Sequence, residues 1–397
     1  MTTRNPTPSQ PCTGVRVIEL SAMISGPYCA QMLASVGAEV IKVEPPGGDL
    51  LRQSRPVYRD MGALFTHHNR GKRSIGIDLT NEEGRKLAQD LIAGADVVVE
   101  NFRPGVMQKL GLGYEEMSRR NPRLIHVSIT GYGLDGPYVK RPAYDQAIQA
   151  LSGYCWIQGN DGKPEAVRST IVDRLSGVTA YHGVLAALLH RERTGVGQLV
   201  SVPLLDAYAA VILPGSTNNE TFLDADLPHY QPRNIYQPIA TRDGYVMGHI
   251  QTDAQFEAAA RLFKREDLIA DPRFKGVGNR LSHIEELWGE LAISARAMGT
   301  DEVIALCVAN DVPINRVNRV QDLMVDPQAL HNETFFDYED PEYGRLRQLN
   351  FPVKFSAGPK TARVRAPKFG EHTADILRAA GVSDEQAEKL RSSRVVF

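Results

Sequence analysis

The chain is poor in cysteine and lacks the common local motifs of nucleophilic, metal and phosphate chemistry. Its 397 residues hold four cysteines, Cys12, Cys29, Cys155 and Cys307, too widely spaced for a metal-ligand or disulfide pattern. Their expected state is the reduced thiol of a cytosolic protein. No Gly-x-Ser-x-Gly, Cys-x-x-Cys, His-Glu-x-x-His or Gly-x-x-x-x-Gly-Lys stretch is present, which removes the usual signatures of serine hydrolases, thiol oxidoreductases, zinc hydrolases and P-loop proteins. His67-His68 has no acid or cysteine at ligand spacing, so no metal is expected. The formal charge is only −2; with no net field to draw them, neither nucleic acid nor an anionic membrane is an expected partner. Long hydrophobic runs are missing too. The stretch Gly183 to Leu189, flanked by His182 and His190, is far too short to span a bilayer. Residues 1–12 are polar and proline-bearing, without the apolar core of a secretory signal, and read as a flexible tail. A cytoplasmic location follows as the expectation.

What is present is a regular alternation of strands and helices. Gly14 to Leu20 reads as a buried strand, Tyr28 to Val36 as a helix ended by Gly37, and Ala38 to Glu44 as the next strand. Strand, helix, strand in about 30 residues is a βαβ unit, which implies parallel pairing. The pattern repeats: a strand from Ser74 to Leu79, a capping box Thr80-x-x-Glu83 opening a helix to Ala93, a strand from Asp96 to Phe102, and another from Leu124 to Thr130. The expected fold class is therefore α/β, with a Rossmann-like doubly wound large domain. From about Pro228 the composition shifts toward amphipathic helical patterns near Asp253 to Lys264, Ile284 to Ala297 and Thr300 to Ala309, after a strand-like Gly244 to Ile250. These define an expected smaller α+β domain at 228–326, between large-domain segments at 13–227 and 327–397. The last segment carries short strands at Gly344 to Leu349 and Pro352 to Phe355, and a helix near Glu371 to Ala380.

Few residues stand out as chemistry. Glu44 lies 18 residues after Gly26, where a ribose-binding acid would sit, but the loop Ser21 to Pro27 lacks the glycines of a dinucleotide fingerprint. Asn69-Arg70-Gly71-Lys72-Arg73 places three cations before a strand, and Asn101-Phe102-Arg103 sits where a strand meets the carboxyl edge of the sheet, with Lys109 on the next short helix. Such groups can hold phosphate by charge-assisted hydrogen bonds, and open α/β sheets bind ligands on that edge. Together they point to a nucleotide-like ligand. Asp173 opens a long apolar helical stretch that ends at Gly195. Position alone makes it a helix N-cap, and the helix terminus would stabilise its anion, keeping it ionised as a nucleophile requires.

These segments, in this order across nearly the whole chain, resemble the class III CoA-transferases, such as formyl-CoA transferase and carnitine CoA-transferase. The likeness is densest from Asp173 to Gln198 and includes Gly26-Pro27, Asn69 to Ser74, Asp96 to Gly105, Tyr144-Asp145…Gln149 and Gly370 to Thr373. The resemblance implies a large domain built from both chain ends, an interlocked homodimer, and coenzyme A thioesters and carboxylic acids as substrates. It implies that Asp173 is the nucleophile and that Lys72, Arg73, Asn101, Phe102, Arg103 and Lys109 contact coenzyme A, with Lys109 standing in place of an arginine. Ile24, Ser25 and Tyr144 fall near the substrate. Ile24-Ser25 replaces a Gln-Ala pair, and a glycine run is missing near Pro228 to Pro238, which argues against a formyl/oxalate pair. A dicarboxylate remains open, with Arg168 and Arg233 as residues that could hold its second carboxylate. Two other readings stand beside transfer. One is an α-methylacyl-CoA racemase-like epimerase, for which the family's histidine position holds Tyr144; the other is a non-catalytic CoA-binding protein.

Overall fold

The computed structural model describes residues 10–159, 162–229, 235–358 and 363–397. The chain divides into two compact units. One runs through Thr217 and resumes at Glu333–Phe397; the other is Asn218–Asn332.

In the larger unit the elements follow as β1 (Arg16–Leu20), α1 (Ser25–Ser35), β2 (Glu39–Glu44), a small hairpin β3 (Val57–Tyr58) and β4 (Met61–Gly62), α2 (Ala63–Asn69), β5 (Arg73–Gly76), α3 (Glu82–Ala93) and β6 (Val97–Glu100). Then come α4 (Val106–Lys109), α5 (Tyr114–Arg120), β7 (Ile125–Thr130), α6 (Asp145–Leu151), α7 (Tyr154–Gln158), α8 (Ile171–Thr194), β8 (Leu199–Pro203) and α9 (Leu204–Ile212). Six strands form one sheet in the order β5-β2-β1-β6-β7-β8, every pair parallel. Val97-Val98-Val99 and Ile125 to Ile129 are buried on both faces, as strands of a covered parallel sheet are, although His126 and Ser128 put polar groups on one face of β7. Alternate residues feed two cores. Val17, Val97, Val99 and Val127 pack against α1, α8 and α9, while Ile18, Ile41, Val43 and Val98 pack against α3 and the C-terminal helices. Close approach of α1 and α8 depends on Gly177, where an added Cβ would lie 2.7 Å from the Ser25 carbonyl oxygen.

The smaller unit holds β9 (Ile239–Ala240), β10 (Tyr245–Gly248), α10 (Asp253–Leu262), α11 (Val277–Ser282), α12 (Ile284–Ala295), α13 (Thr300–Ala309), β11 (Ile314–Arg316), α14 (Val320–Leu323) and α15 (Pro327–His331). Its three strands pair antiparallel around a core centred on Trp288, Phe256, Phe263 and Phe274. Back in the larger unit, β12 (Phe335–Asp340) and β13 (Gly344–Leu349) form a hairpin, followed by α16 (Thr373–Ala379) and α17 (Asp384–Ser392). Among the described residues no helix is long and apolar enough to cross a membrane.

Several local expectations need correction. Thr80 does not cap α3: its hydroxyl donates to Asp78 Oδ1 at 2.7 Å, and Asn81 instead accepts from the Glu83 amide. Pro352 to Phe355 is not a strand; a proline there cannot donate to a ladder. Strand β8, which closes one edge of the sheet, hairpin strand β12 and helix α17 were absent from the sequence pattern.

Candidate active site

Strand order reverses between β1 and β6, because the chain leaves β1 toward β2 on one side while β6 lies on the other. In an open α/β sheet the crevice at such a switch point, beyond the carboxyl ends of the strands, is where ligands bind. A cavity of about 250 Å3 opens there, lined by Ala22 to Ser25 after β1, Asn101 to Pro104 after β6, Thr130 to Gly133 after β7, and Arg141, Tyr144 and Asp173. Asn101 ties the first two loops together across the switch point. Its Oδ1 accepts from the Ala22 amide at 3.0 Å and its Nδ2 donates to the Ala22 carbonyl at 2.8 Å.

Asp173 is not the N-cap of its helix. Helix α8 begins two residues earlier, with Thr170 at the N-cap, so Asp173 occupies the third helical position. The capping task falls to another carboxylate. Asp145, the buried first residue of α6, accepts from the Asp173 amide at 3.1 Å through Oδ2 and from Gln149 Nε2 at 2.6 Å through Oδ1. Gln149 in turn accepts from the Val167 amide at 2.9 Å and donates to the Ser169 carbonyl at 3.1 Å, fixing the segment that leads into α8. An N-terminal amide that would otherwise be orphaned is thus satisfied from a neighbouring helix.

This placement reverses the electrostatic expectation. Burial pushes the Asp173 carboxyl up to about 6, the negative charge of Asp145 adds to the rise, and Arg174 opposes it. Desolvation and a like charge outweigh the helix terminus, whose effect is worth only about 0.3–1 kcal/mol. The group is still mostly ionised at neutral pH, and it is a poorly solvated anion. A reaction that needs this carboxylate ionised should gain rate as pH rises through about 6 and level off above it. Asp145→Asn removes the like charge, so the acid limb of the rate profile should move to lower pH by about half to one pH unit. A limb that stays in place, measured as kcat/KM between pH 4.5 and 8, contradicts this account of the shift.

The loop that carries Ala22 to Ser25 into the cavity is held by a buried ion cluster. Lys42 pairs with Glu19 at 2.9 Å and Asp49 at 3.0 Å, and Lys72 pairs with Glu19 at 2.7 Å. Burial alone would raise Glu19, but the two ammonium groups hold it below its ordinary range. The same ammoniums grip both ends of the Ser21 to Pro27 loop: Lys42 Nζ donates to the Ser21 carbonyl at 2.8 Å and Lys72 Nζ to the Pro27 carbonyl at 2.9 Å. Between these anchors Met23 adopts a φ of 65°, a left-handed conformation that costs a side-chain-bearing residue about 1–2 kcal/mol. Gly26 allows the loop to close on itself, since a Cβ there would fall 2.3 Å from Ser21 Cβ.

The structure brings together Ile24, Ser25, Asn101, Phe102, Arg103, Tyr144 and Asp173 in one cavity. It does not bring the other expected residues there. Lys72 is fully buried, and its ammonium is occupied by Glu19, Pro27 and Asn69, so it is not free to hold a phosphate. Arg73 pairs with Glu39 at 2.6 Å and lines a separate cavity of about 440 Å3 that also includes His372 and Arg363. Lys109 is exposed on α4 and does not line the Asp173 cavity. Arg168 is exposed and also absent from the lining; Arg233 lies outside the described residues. Residue-type reasoning missed Arg141 and the Gly131-Tyr132-Gly133 turn, although a glycine-flanked turn directly after a strand at the carboxyl edge was a usable signal. Asp145 carried no local signal of its bond to the Asp173 amide.

Fold and site together define a doubly wound α/β protein whose switch-point cavity is built around one poorly solvated carboxylate. The chain belongs to CoA-transferase family III, whose sequence pattern matches residues 13–373. It is 33% identical to the succinate–glutarate CoA-transferase of Agrobacterium fabrum over 387 residues, covering 94% of this chain and 96% of that protein. It is likewise 33% identical to the succinyl-CoA–D-citramalate CoA-transferase of Chloroflexus aurantiacus, covering 98% of this chain and 99% of the relative. The crystal structure of a CAIB/BAIF family protein from Brucella suis superposes with a TM-score of 0.82 at 32% identity, covering 94% of this chain and all of that one. The chain is accordingly a CoA-transferase, acting between acyl-CoA thioesters and acids.

Proposed function

We propose that the protein exchanges coenzyme A between short dicarboxylic acids, with Asp173 as the covalent carrier. The observation that carries this reading is the Asp173 carboxylate itself, poorly solvated in the switch-point cavity beside Arg103, Arg141 and Tyr144. An Asp173 oxygen attacks the thioester carbonyl carbon; the carbon–sulfur bond breaks, leaving an acyl-aspartyl anhydride and CoA thiolate. The thiolate then attacks the aspartyl carbonyl of the anhydride and expels the donor acid as its carboxylate, giving an aspartyl-CoA thioester. The acceptor carboxylate attacks that thioester, releases the thiolate and forms a new anhydride. Attack of thiolate on the acceptor's acyl carbon regenerates Asp173 and delivers the new acyl-CoA. Each step exchanges one carboxylate or thiolate for another, so no net proton moves and thioester energy is retained.

Desolvation suits this chemistry. A half-buried carboxylate with reduced hydration is a stronger nucleophile, and limiting water in the cavity protects the anhydride from hydrolysis. The Arg103 and Arg141 guanidiniums that line the cavity are proposed to attract the thiolate and the phosphates of coenzyme A. Asn101, Phe102 and Arg103 are the cavity residues proposed to contact coenzyme A, and Arg73 the proposed contact in the neighbouring cavity. The acting species is proposed to be a homodimer. Dicarboxylates are favoured because two relatives are named for succinyl, glutaryl or citramalyl exchange and because Ile24-Ser25 departs from the pair of the formyl enzyme.

A panel of acyl-CoA donors, succinyl-CoA first, crossed with mono- and dicarboxylic acids and read by chromatography of the new thioester, tests this function. Transfer to C4–C6 dicarboxylates is the expected result. In D2O with a 2-methylacyl-CoA and no acceptor acid, α-deuteration should be absent; rapid deuteration would replace transfer with epimerisation.

A further inference from the structure

Among the described residues, six lysine and arginine side chains are buried: Lys42, Arg52, Arg70, Lys72, Arg191 and Arg280. Five of them lie 2.6 to 2.9 Å from a carboxylate. Arg70, 6% exposed, has no carboxylate partner among the described residues. Its Nη1 also has no hydrogen-bond partner there. With the Gln31 amide turned to satisfy its own atoms, the Gln31 oxygen accepts from Arg70 Nε at 3.0 Å and Nη2 at 3.2 Å, and the Ser35 hydroxyl accepts from Nη2 at 3.4 Å, so only neutral groups serve the guanidinium. A buried charge without a counter-ion is costly, and among the described residues each of the other five buried cations has one.

Arg70 lines a cavity of about 230 Å3, distinct from the one that holds Asp173. Arg174 lines it too, its Nη1 donating to the neutral Ser169 hydroxyl at 2.7 Å. No aspartate or glutamate is among the lining residues, and Met32, Leu64 and Phe351 give the lining an apolar part. His68 contributes no charge, since burial pushes it down to about 4. At about 230 Å3 the cavity has room for a short acid. Arg174 follows Asp173 in the first turn of α8, and α1 contributes Ser25 to one cavity and Tyr28 to the other. The two cavities therefore share the same pair of helices.

We propose that this second cavity binds the far carboxylate of a short dicarboxylic acid substrate, with Arg70 as its counter-ion and Arg174 beside it. The proposal rests on the acid exchange proposed above and names what selects its substrates. The apolar part of the lining takes the methylene chain, and the guanidinium takes the carboxylate by charge-assisted hydrogen bonds.

The test compares glutarate with valerate, acids of equal chain length with two carboxylates and one, in the wild type, Arg70→Gln and Arg70→Lys. With the acyl-CoA donor saturating, Arg70→Gln should raise the KM for glutarate at least about tenfold, leave valerate unchanged, and be partly rescued by Arg70→Lys. Without any donor, glutarate should raise the melting temperature of the wild type but not of Arg70→Gln, and this binding readout stands even if no acid supports turnover. Equal losses for both acids, or no loss, overturn the proposal. So does weakened CoA binding without acid discrimination, which makes the anion a phosphate. A change of oligomeric mass without discrimination also overturns it, because the missing counter-ion then belongs to a second copy of the chain.

Discussion

Asp173→Ala is expected to lower kcat/KM for CoA transfer by at least about 10³-fold, equivalent to roughly 4 kcal/mol of transition-state stabilisation, with CoA affinity unchanged. The effect should be this large because the carboxylate is a covalent participant, and no nearby side chain can take its place. Asp145 is buried, and its two oxygens are engaged by the Asp173 amide and Gln149. Folding should not suffer. In the folded chain the Asp173 carboxyl is raised to about 6, above an unfolded value near 4. Its contribution to stability is thus present below about pH 4 and lost as pH rises through about 6. Above that pH the ionised side chain is a net burden, so the alanine variant should melt at the same temperature as the parent or higher. Melting curves at pH 5 and pH 8 check this, and they separate a lost nucleophile from a damaged fold. Turnover near the parental rate in a well-folded alanine variant would remove Asp173 from the mechanism.

The second large effect is expected from Lys72→Met. Lys72 has three oxygen partners, Glu19, Asn69 Oδ1 and the Pro27 carbonyl, all buried. Removing one member of a buried ionic pair typically costs about 3–5 kcal/mol, because the remaining charge is left unmatched. Glu19 keeps Lys42 at 2.9 Å, which places the expected loss near the lower end, about 3 kcal/mol by denaturant titration. The same change frees one end of the loop that carries Ile24 and Ser25 into the cavity. Lys72→Met should therefore lower kcat more than it raises the KM for acyl-CoA. A phosphate contact would do the opposite, raising KM for CoA substrates while leaving stability almost unchanged.

Lys72 also shows how far the site could be read from the chain. Three cations in four residues look alike as letters, yet the fold gives Arg70, Lys72 and Arg73 three different surroundings: a cavity without anions, a buried cluster and an exposed-side pair. Their separation depends on which way each side chain leaves the turn before β5, and no local pattern encodes that. By contrast, the parallel sheet was legible because its strands are short apolar runs spaced by helical ones, and the Asn101-Phe102 contribution followed from its place at the end of a strand. The helix of Asp173 was legible in type but not in start. Ile171 and Val172 extend it backward, and what fixes its first turn is a carboxylate 28 residues earlier in the chain. The raised Asp173 was equally hidden, since it arises from burial and from that same distant charge.

Chemical trapping of the acylated enzyme is the most direct test of the central claim. Hydroxylamine added during turnover with an acyl-CoA, followed by proteolysis and mass spectrometry, should mark the peptide containing Asp173 as a hydroxamate, with no mark when acyl-CoA is omitted. Full turnover with Asp173 unmodified, or a hydroxamate on another residue, would contradict covalent transfer through this carboxylate.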